Sequence, residues 1–359
     1  QNGAGTGIYT LQNGTLETLQ IKKTTAGGQS EIHFANATLR SLAGASNAFC
    51  SGLDVAEIQS GGLSFDATAD ATIAQVLSGA GGLTKTGANK LTLFGANTFA
   101  GNTLINAGTL AIGSGGSIAS SPNIVLASGT TLDISAASFA LGGSQIISCS
   151  STSGTATVNG AFTMNADAQA SLQINGSSGA VGVLNVVGNL TANDNTIVIN
   201  VNNAVLGVGT NTLITYTGTT TGSFYFSPVI TGLGIGTGLR AEILETAGAI
   251  KLRVFSDTRT WTGGGANNNW STAANWTGSA PVTGDDLIFN GTTRQNNTNE
   301  MSGLNILSVT LNNGGFTLNG NVFNNNSAIT NLSGVNTIKA GIIWAGTAAK
   351  TWNIASGSE

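Results

Sequence analysis

The residues able to do chemistry are few and scattered. Asp285 and Asp286 form the one adjacent pair of acids. Such a pair suggests Ca²⁺, which takes roughly 6–8 oxygen ligands. Neighbours on a strand point to opposite faces, so turn capping or a strand edge is the simpler expectation. Trp261, Trp270 and Trp276 share one short block. Their flat apolar faces either stack on sugar or cover the end of a rod and staple its turns. Asp54, Glu57, Asp66 and Asp70 are isolated acids. Polysaccharide-cleaving β-helices gather several acids or bases on one face, and these four would converge only by accident of winding.

His33 is the one histidine, so a multi-histidine metal site cannot form in one subunit. It alternates with Ile32 and Phe34 and is expected to face solvent. Cys50 and Cys149 lie 99 positions apart, neither a zinc spacing nor a dense disulfide framework. At about 22 residues per coil they sit roughly 20 Å apart along a rod, too far to pair. The Ca²⁺-binding G-G-x-G-x-D repeat is missing, and no motif asks for a cofactor. Thr84/Thr86, Thr155/Thr157 and Thr215/Thr217 keep no period of the kind an ice-binding column needs. Asn267–Asn269 and Asn324–Asn326 read as side-chain ladders between coils.

Composition narrows the scaffold. Charged residues are 8% of the chain, against roughly 25% in ordinary globular proteins. Glycine supplies 52 of 359 residues and proline 3, which excludes collagen and disfavours helices. With 12 Lys+Arg against 16 Asp+Glu, nucleic-acid binding is disfavoured. No apolar run approaches the ~20 residues of a membrane helix. The chain opens on Gln1 without a signal peptide, and reads as mature, trimmed or a slice of something longer.

Repetition decides the fold. Leu16, Leu39, Leu63 and Leu83, then Leu91, Leu110 and Leu132, recur at near-regular steps in short alternating strands. Steps of roughly 19–24 residues belong to solenoids. Leucine-rich repeats share the period, but their L-x-x-L-x-L-x-x-N pattern is missing. Tight Gly and Asn turns between three short strands fit an all-β, right-handed parallel β-helix with coils of about 20–24 residues. Residues 1–204 are expected to form that helix, with Leu83, Leu91, Leu93, Leu110, Ile112 and Leu132 inside. Residues 205–256 carry longer alternating runs and read as antiparallel strands closing the rod. Residues 257–359 read as a Trp-rich opening followed by further coils, with a junction at Asp257–Thr260.

Residues 81–113 carry Gly82, Leu83, Lys85 and Gly87, then Leu91, Leu93, Gly95, Asn97, Thr98, Phe99 and Gly101, then Thr103, Ile105, Gly108, Thr109 and Leu110. This series resembles the autotransporter-associated β-strand repeat, also called the passenger-associated transport repeat. The block 261–291 is similar to the Trp-rich opening of long extracellular proteins that carry it, through Trp261–Gly263, Asn275–Trp276, Pro281 and Gly284–Asp285. The resemblance implies a bacterial β-helical passenger at the cell surface, adhesive or fibrous, and implies no reaction. Only one clear copy is present, and the translocator barrel is not in this sequence.

Three functions follow. The first is a structural surface protein. Its residues 300–359 would continue the coil stack of the next copy's first segment, giving a head-to-tail fibre by strand addition. The second is an adhesin that holds polysaccharide with the Trp block. The third, an enzyme on polysaccharide, is disfavoured by the residue inventory.

Overall fold

The computed structural model describes residues 5–23, 27–45, 48–207, 209–236, 239–256, 258–325, 328–344 and 351–357. Asp257 and Asn326 lie outside the described residues. The chain forms two compact units, Gln1–Gly236 with Ala241–Val254, and Thr237–Arg240 with Phe255–Glu359.

Alternation builds the first unit. In Leu63–Ala67 the buried Leu63, Phe65 and Ala67 alternate with outward Ser64 and Asp66. A strand this short cannot stand alone, so it pairs with its counterpart one coil away. Leu63–Ala67, Leu83–Thr86 and Thr103–Ile105 are successive members of a ten-stranded parallel sheet running from Thr15–Thr18 to Val229–Gly232. A second face stacks Ala71–Ile73, Lys90–Leu93, Thr109–Ile112 and Thr131–Asp133, again in parallel. The fold is a parallel β-solenoid. Leu83, Leu91, Leu93, Leu110 and Leu132 are fully buried and Ile112 is 1% exposed, as the sequence pattern requires.

The third face is intermittent, and it sets coil length. Three strands, Thr6–Gln12, Gln29–Ala35 and Val55–Ile58, form it at one end. Ala140–Leu141, Phe162–Met164, Leu190–Thr191 and Thr220–Thr221 form it at the other. Between them only single bridges remain, Glu57 to Ser78 and Ala96 to Ser117. Where it lapses, coils are shortest: Leu63 stands beside Leu83, and Leu83 beside Thr103. Where it is built, strands lengthen and the coil takes in more chain, so that Ala170 stands beside Ile197. The widest coils therefore exceed the length expected from the leucine spacing.

Past Thr196–Asn202 the pairing changes. Gly209–Tyr216 continues the parallel stack through Ile214 beside Leu184, yet its other edge pairs antiparallel with Ala249–Ser256. Leu239–Thr246 adds one more strand to that edge.

The second unit repeats the plan with fewer coils. Thr258–Trp261, Asp286–Phe289, Ser308–Leu311, Ala328–Asn331 and Thr351–Ile354 make its five-stranded sheet. Two three-stranded sheets close the coil, one of them Asn296–Asn299, Thr317–Gly320 and Thr337–Ile338. The 3₁₀ turn Ala273–Asn275 is the one helical element among the described residues, and no helix is long and apolar enough to cross a membrane.

Cys50 lies on the second face and Cys149 on the ten-stranded sheet, both buried and unpaired. Burial pushes both thiols up to about 12. Neither is expected to react with Ellman's reagent at mildly alkaline pH in the native protein, and both should react at once in concentrated guanidinium. Counting released thiolate checks this.

Candidate functional site

Trp261, Trp270 and Trp276 turn inward. Trp261 and Trp270 are fully buried and Trp276 is 4% exposed, within a cluster that includes Leu287, Phe289, Phe316 and Phe323. Trp276 meets Trp261 edge-on at 5.1 Å and Trp270 at 6.0 Å, and Phe289 lies 5.4 Å from Trp270. Each indole N–H is used internally. Trp270 Nε1 donates to Asn297 Oδ1 at 2.7 Å, Trp276 Nε1 to the Trp270 carbonyl at 2.8 Å, and Trp261 Nε1 to the Thr293 carbonyl at 3.3 Å. The three rings present no face to a sugar. They fill the solenoid where smaller residues would leave it hollow, and of the two roles considered for them, sugar platform or staple of the coils, their burial fits the second.

The acids also go separate ways. Asp285 is 1% exposed and its Oδ2 accepts from Arg259 Nε at 2.7 Å and from the Val282 amide at 2.8 Å. Asp286, on the opposite face, accepts from the Ser308 hydroxyl at 2.5 Å. Among the described residues no group of three or more His, Cys, Asp or Glu is placed to hold a metal ion. Asp54 pairs with Lys23, Asp66 with Arg40, Asp70 with the Lys90 amide, and Glu57 with His33. His33 is on the outer side of its strand, but it is held between two carboxylates rather than left to solvent.

The Asn ladders take specific form. Asn319 Nδ2 donates to Asn296 Oδ1 at 2.7 Å, and Asn324 pairs with Asn305, each one coil apart. Asn268 instead donates to the Asn296 carbonyl at 2.8 Å. Glu300 anchors the same corner. Burial would raise its carboxyl, but hydrogen bonds from the Ser271 hydroxyl and the Ser271 and Trp270 amides outweigh that and hold it below the usual range.

The motif residues at 82–110 are structural. Leu83, Leu91, Leu93, Phe99 and Leu110 point into the core, while Thr98 faces out and Thr109 is half-buried. Gly101 leaves no space for a side chain, since a Cβ there would lie 2.3 Å from the Gly82 nitrogen on the adjacent coil. Gly87 has φ +74° and a Cβ there would strike the Ala67 carbonyl at 2.5 Å. The remaining glycines, Gly82, Gly95 and Gly108, face neighbouring backbone as closely.

Three polar residues of the motif lie inside, Lys85, Asn97 and Thr103, whose hydroxyl donates to Ser121 Oγ at 3.0 Å. Lys85 is fully buried, and its ammonium donates to the carbonyls of Thr86 at 2.7 Å, Gly87 at 2.8 Å and Ala107 at 3.1 Å. Three donors meet three acceptors, with the last on the next coil. Burial lowers its pKa to about 8, with Asp66 and Asp70 acting against that. Asn97 works at the corner where the third face lapses. It accepts from the Leu77 amide at 2.9 Å and donates to the carbonyls of Gly95 at 2.9 Å and Ser117 at 3.0 Å. One side chain thus supplies the bonds to both adjacent coils that strands supply elsewhere. Gln145 and Asn195 do similar work against the preceding coil at other corners, and Asn275 ties the turn 265–269 within its own coil. The sequence marked Asn275 only through the Asn275–Trp276 resemblance, and neither Gln145 nor Asn195, since a single amide without a repeated motif around it carries no signal.

The outer surface holds a further pattern. From 91 to 239 the only charged residues are Asp133, Asp167 and Asp194. Register stacks Lys90, Thr109, Thr131, Thr157, Asn185 and Thr215 in one half-exposed to exposed column on the second face. The Thr215 hydroxyl donates to Asn185 Oδ1 at 2.8 Å. The coil step lengthens steadily from Thr109–Thr131 to Asn185–Thr215, which hides this column from any fixed-period search.

Asn97→Leu strands the Leu77 amide and two carbonyls, and is expected to destabilise the first unit by about 2–4 kcal/mol in urea unfolding. Lys85→Met should cost about 1–3 kcal/mol by leaving buried carbonyls unmet. Iodide should quench Trp344 and Trp352, which are 38% and 53% exposed, and spare the other three indoles. Fluorescence of a Trp344→Phe/Trp352→Phe variant checks this, and should be almost unquenched.

Comparison with known proteins agrees with this architecture. Residues 83–112 match the model of the passenger-associated-transport-repeat. The adhesin BmaC autotransporter of Brucella suis biovar 1 (strain 1330) is 29% identical over 293 residues, which is 78% of this chain. The chain spans 7% of that relative's length. The stacked coils, the interior Lys85 and Asn97 of the motif and these two likenesses agree: the chain is a β-solenoid that carries a passenger-associated transport repeat and is similar to an autotransporter adhesin.

Proposed function

We propose that this chain is a length of an adhesin-type passenger, displayed at the bacterial surface and non-enzymatic, whose contacts are made by the outer sheet faces of the first unit. The observation that carries the reading is the likeness to an autotransporter adhesin over 78% of the chain. The head-to-tail fibre, the first function expected from the sequence, has no support from that likeness, and the adhesin reading takes its place. Acids paired off to separate partners support a binding role over hydrolysis.

The Trp block is inside, so the contact surface is sought elsewhere. The column Thr109–Thr131–Thr157–Asn185–Thr215 offers hydroxyl and amide groups at the ~4.8 Å coil spacing on a nearly uncharged face. Groups of that kind suit a neutral polysaccharide laid along the solenoid. Purified protein is expected to bind immobilised neutral glycans or glycan-bearing cells. Thr131→Arg/Thr157→Arg should cut binding about tenfold or more without unfolding the solenoid, and Trp270→Phe should leave it unchanged. Binding that survives the double arginine variant would move the surface elsewhere. Absence of attachment to any glycan or cell would overturn the adhesin reading.

A further inference from the structure

His33 stands in the middle of Gln29–Ala35, on the third face of the early coils. Register puts Thr10 beside it on one coil and Glu57 on the other. Glu31 precedes it by two residues on the same outward side. Nδ1 lies 2.5 Å from Glu57 Oε2, and Nε2 lies 3.2 Å from Glu31 Oε2. The imidazole is 17% exposed and the two carboxylates 35% and 20%.

A ring with a carboxylate at each nitrogen needs two N–H donors, and only the imidazolium has two. The neutral ring satisfies one carboxylate and turns a lone pair on the other. The remaining neighbours do not compensate. Thr10 is uncharged, Gln59 Nε2 donates weakly to Glu57 Oε2 at 3.4 Å, and Ser78 is what bridges Glu57 on the far side. Beyond that bridge the third face lapses, and Val55–Ile58 meets the next coil through a few backbone bonds around Ser78, among them Ile58 N–H to the Ser78 carbonyl at 2.7 Å and Ser78 N–H to the Ala56 carbonyl at 3.0 Å.

We propose that Glu31, His33 and Glu57 form a proton-held clasp that shuts the third face of the first coils while both ring nitrogens carry hydrogen, and loosens it when one hydrogen is lost. Burial alone would lower the His33 pKa, but the hydrogen bonds to Glu57 and Glu31 more than offset it, and the value is raised above the ordinary 6.5. The folded chain therefore holds this proton more tightly than the unfolded one. The stabilisation is complete below the unfolded value and is lost as pH climbs through the raised one. The clasp is shut on the acid side of that raised value for as long as both carboxylates stay ionised, and opens above it.

Because His33 is the one histidine, its ring protons give a single resolvable NMR signal in the full chain. The titration midpoint is expected above 6.5 and should fall toward it in Glu57→Gln. Amide exchange in Gln29–Ala35 and Val55–Ile58, corrected for intrinsic rates and divided by that in Gln169–Asn175, which carries no titratable side chain, should rise about three- to tenfold between roughly pH 6 and 9. In His33→Gln the ratio should not change with pH. A midpoint at or below 6.5, one unmoved by Glu57→Gln, or a pH-independent ratio in the unsubstituted chain overturns the proposal. If His33→Gln does not fold, the Glu57→Gln titration decides alone.

Discussion

Everything in this protein depends on the hydrogen-bonded stacking of one coil on the next in parallel register. Each short strand of the stack finds its backbone partners a whole coil away in sequence, as Leu83 does beside Thr103 and Val201 beside Gly232. Register then repeats every side chain at about 4.8 Å intervals along the coil axis. Inside, columns such as Leu63–Leu83–Thr103–Ile124 interlock. Outside, whatever one coil presents the next must tolerate at close range. Like charges stacked at that distance repel. The few charges on the early coils accordingly alternate, as in Glu17–Arg40–Asp66, or surround an imidazole, as at His33. The 8% charge content follows from that constraint.

The same stacking makes the corners difficult. A turn that is not a strand still presents carbonyls and amides to the coils on either side, and buried ones must be paired. The protein meets this with the buried amides Asn97, Gln145 and Asn195, and once with the ammonium of Lys85. An amide fits because it donates and accepts at once, so it joins an N–H on one coil to a carbonyl on another. Lys85 fits because three carbonyls are arranged around one end of a long apolar stem. Lys85 and Asn97 are both fixed parts of the repeat motif, which connects the motif to architecture rather than to ligand binding.

Stiffness with an uncharged exterior suits adhesion. Under the proposed reading, affinity along the stacked coils of the first unit is the sum of many weak contacts at regular spacing rather than the work of one deep pocket. The paired acids and interior indoles leave the sheet faces as the surface on offer.

Much of this was legible in the sequence because it is local. Alternating Leu, Ile and Val with Gly and Asn turns dictates short strands with one buried face, and the near-regular return of leucine dictates a solenoid. The motif at 81–113 named Lys85 and Asn97 before their bonds were visible. The separation of Cys50 from Cys149 followed from coil length alone. What the sequence could not settle is which way a side chain faces at a corner and which residue stands above which. Trp261, Trp270 and Trp276 left both a platform and a structural staple open, the staple favoured, since strand period does not extend through turns. Only packing on Phe289 and Phe323 put them inside. The Thr109–Thr215 column and the Glu31–His33–Glu57 contact join residues whose separation varies from coil to coil. Their neighbours are fixed by backbone register across coils, a long-range property that emerges only once the chain has wound.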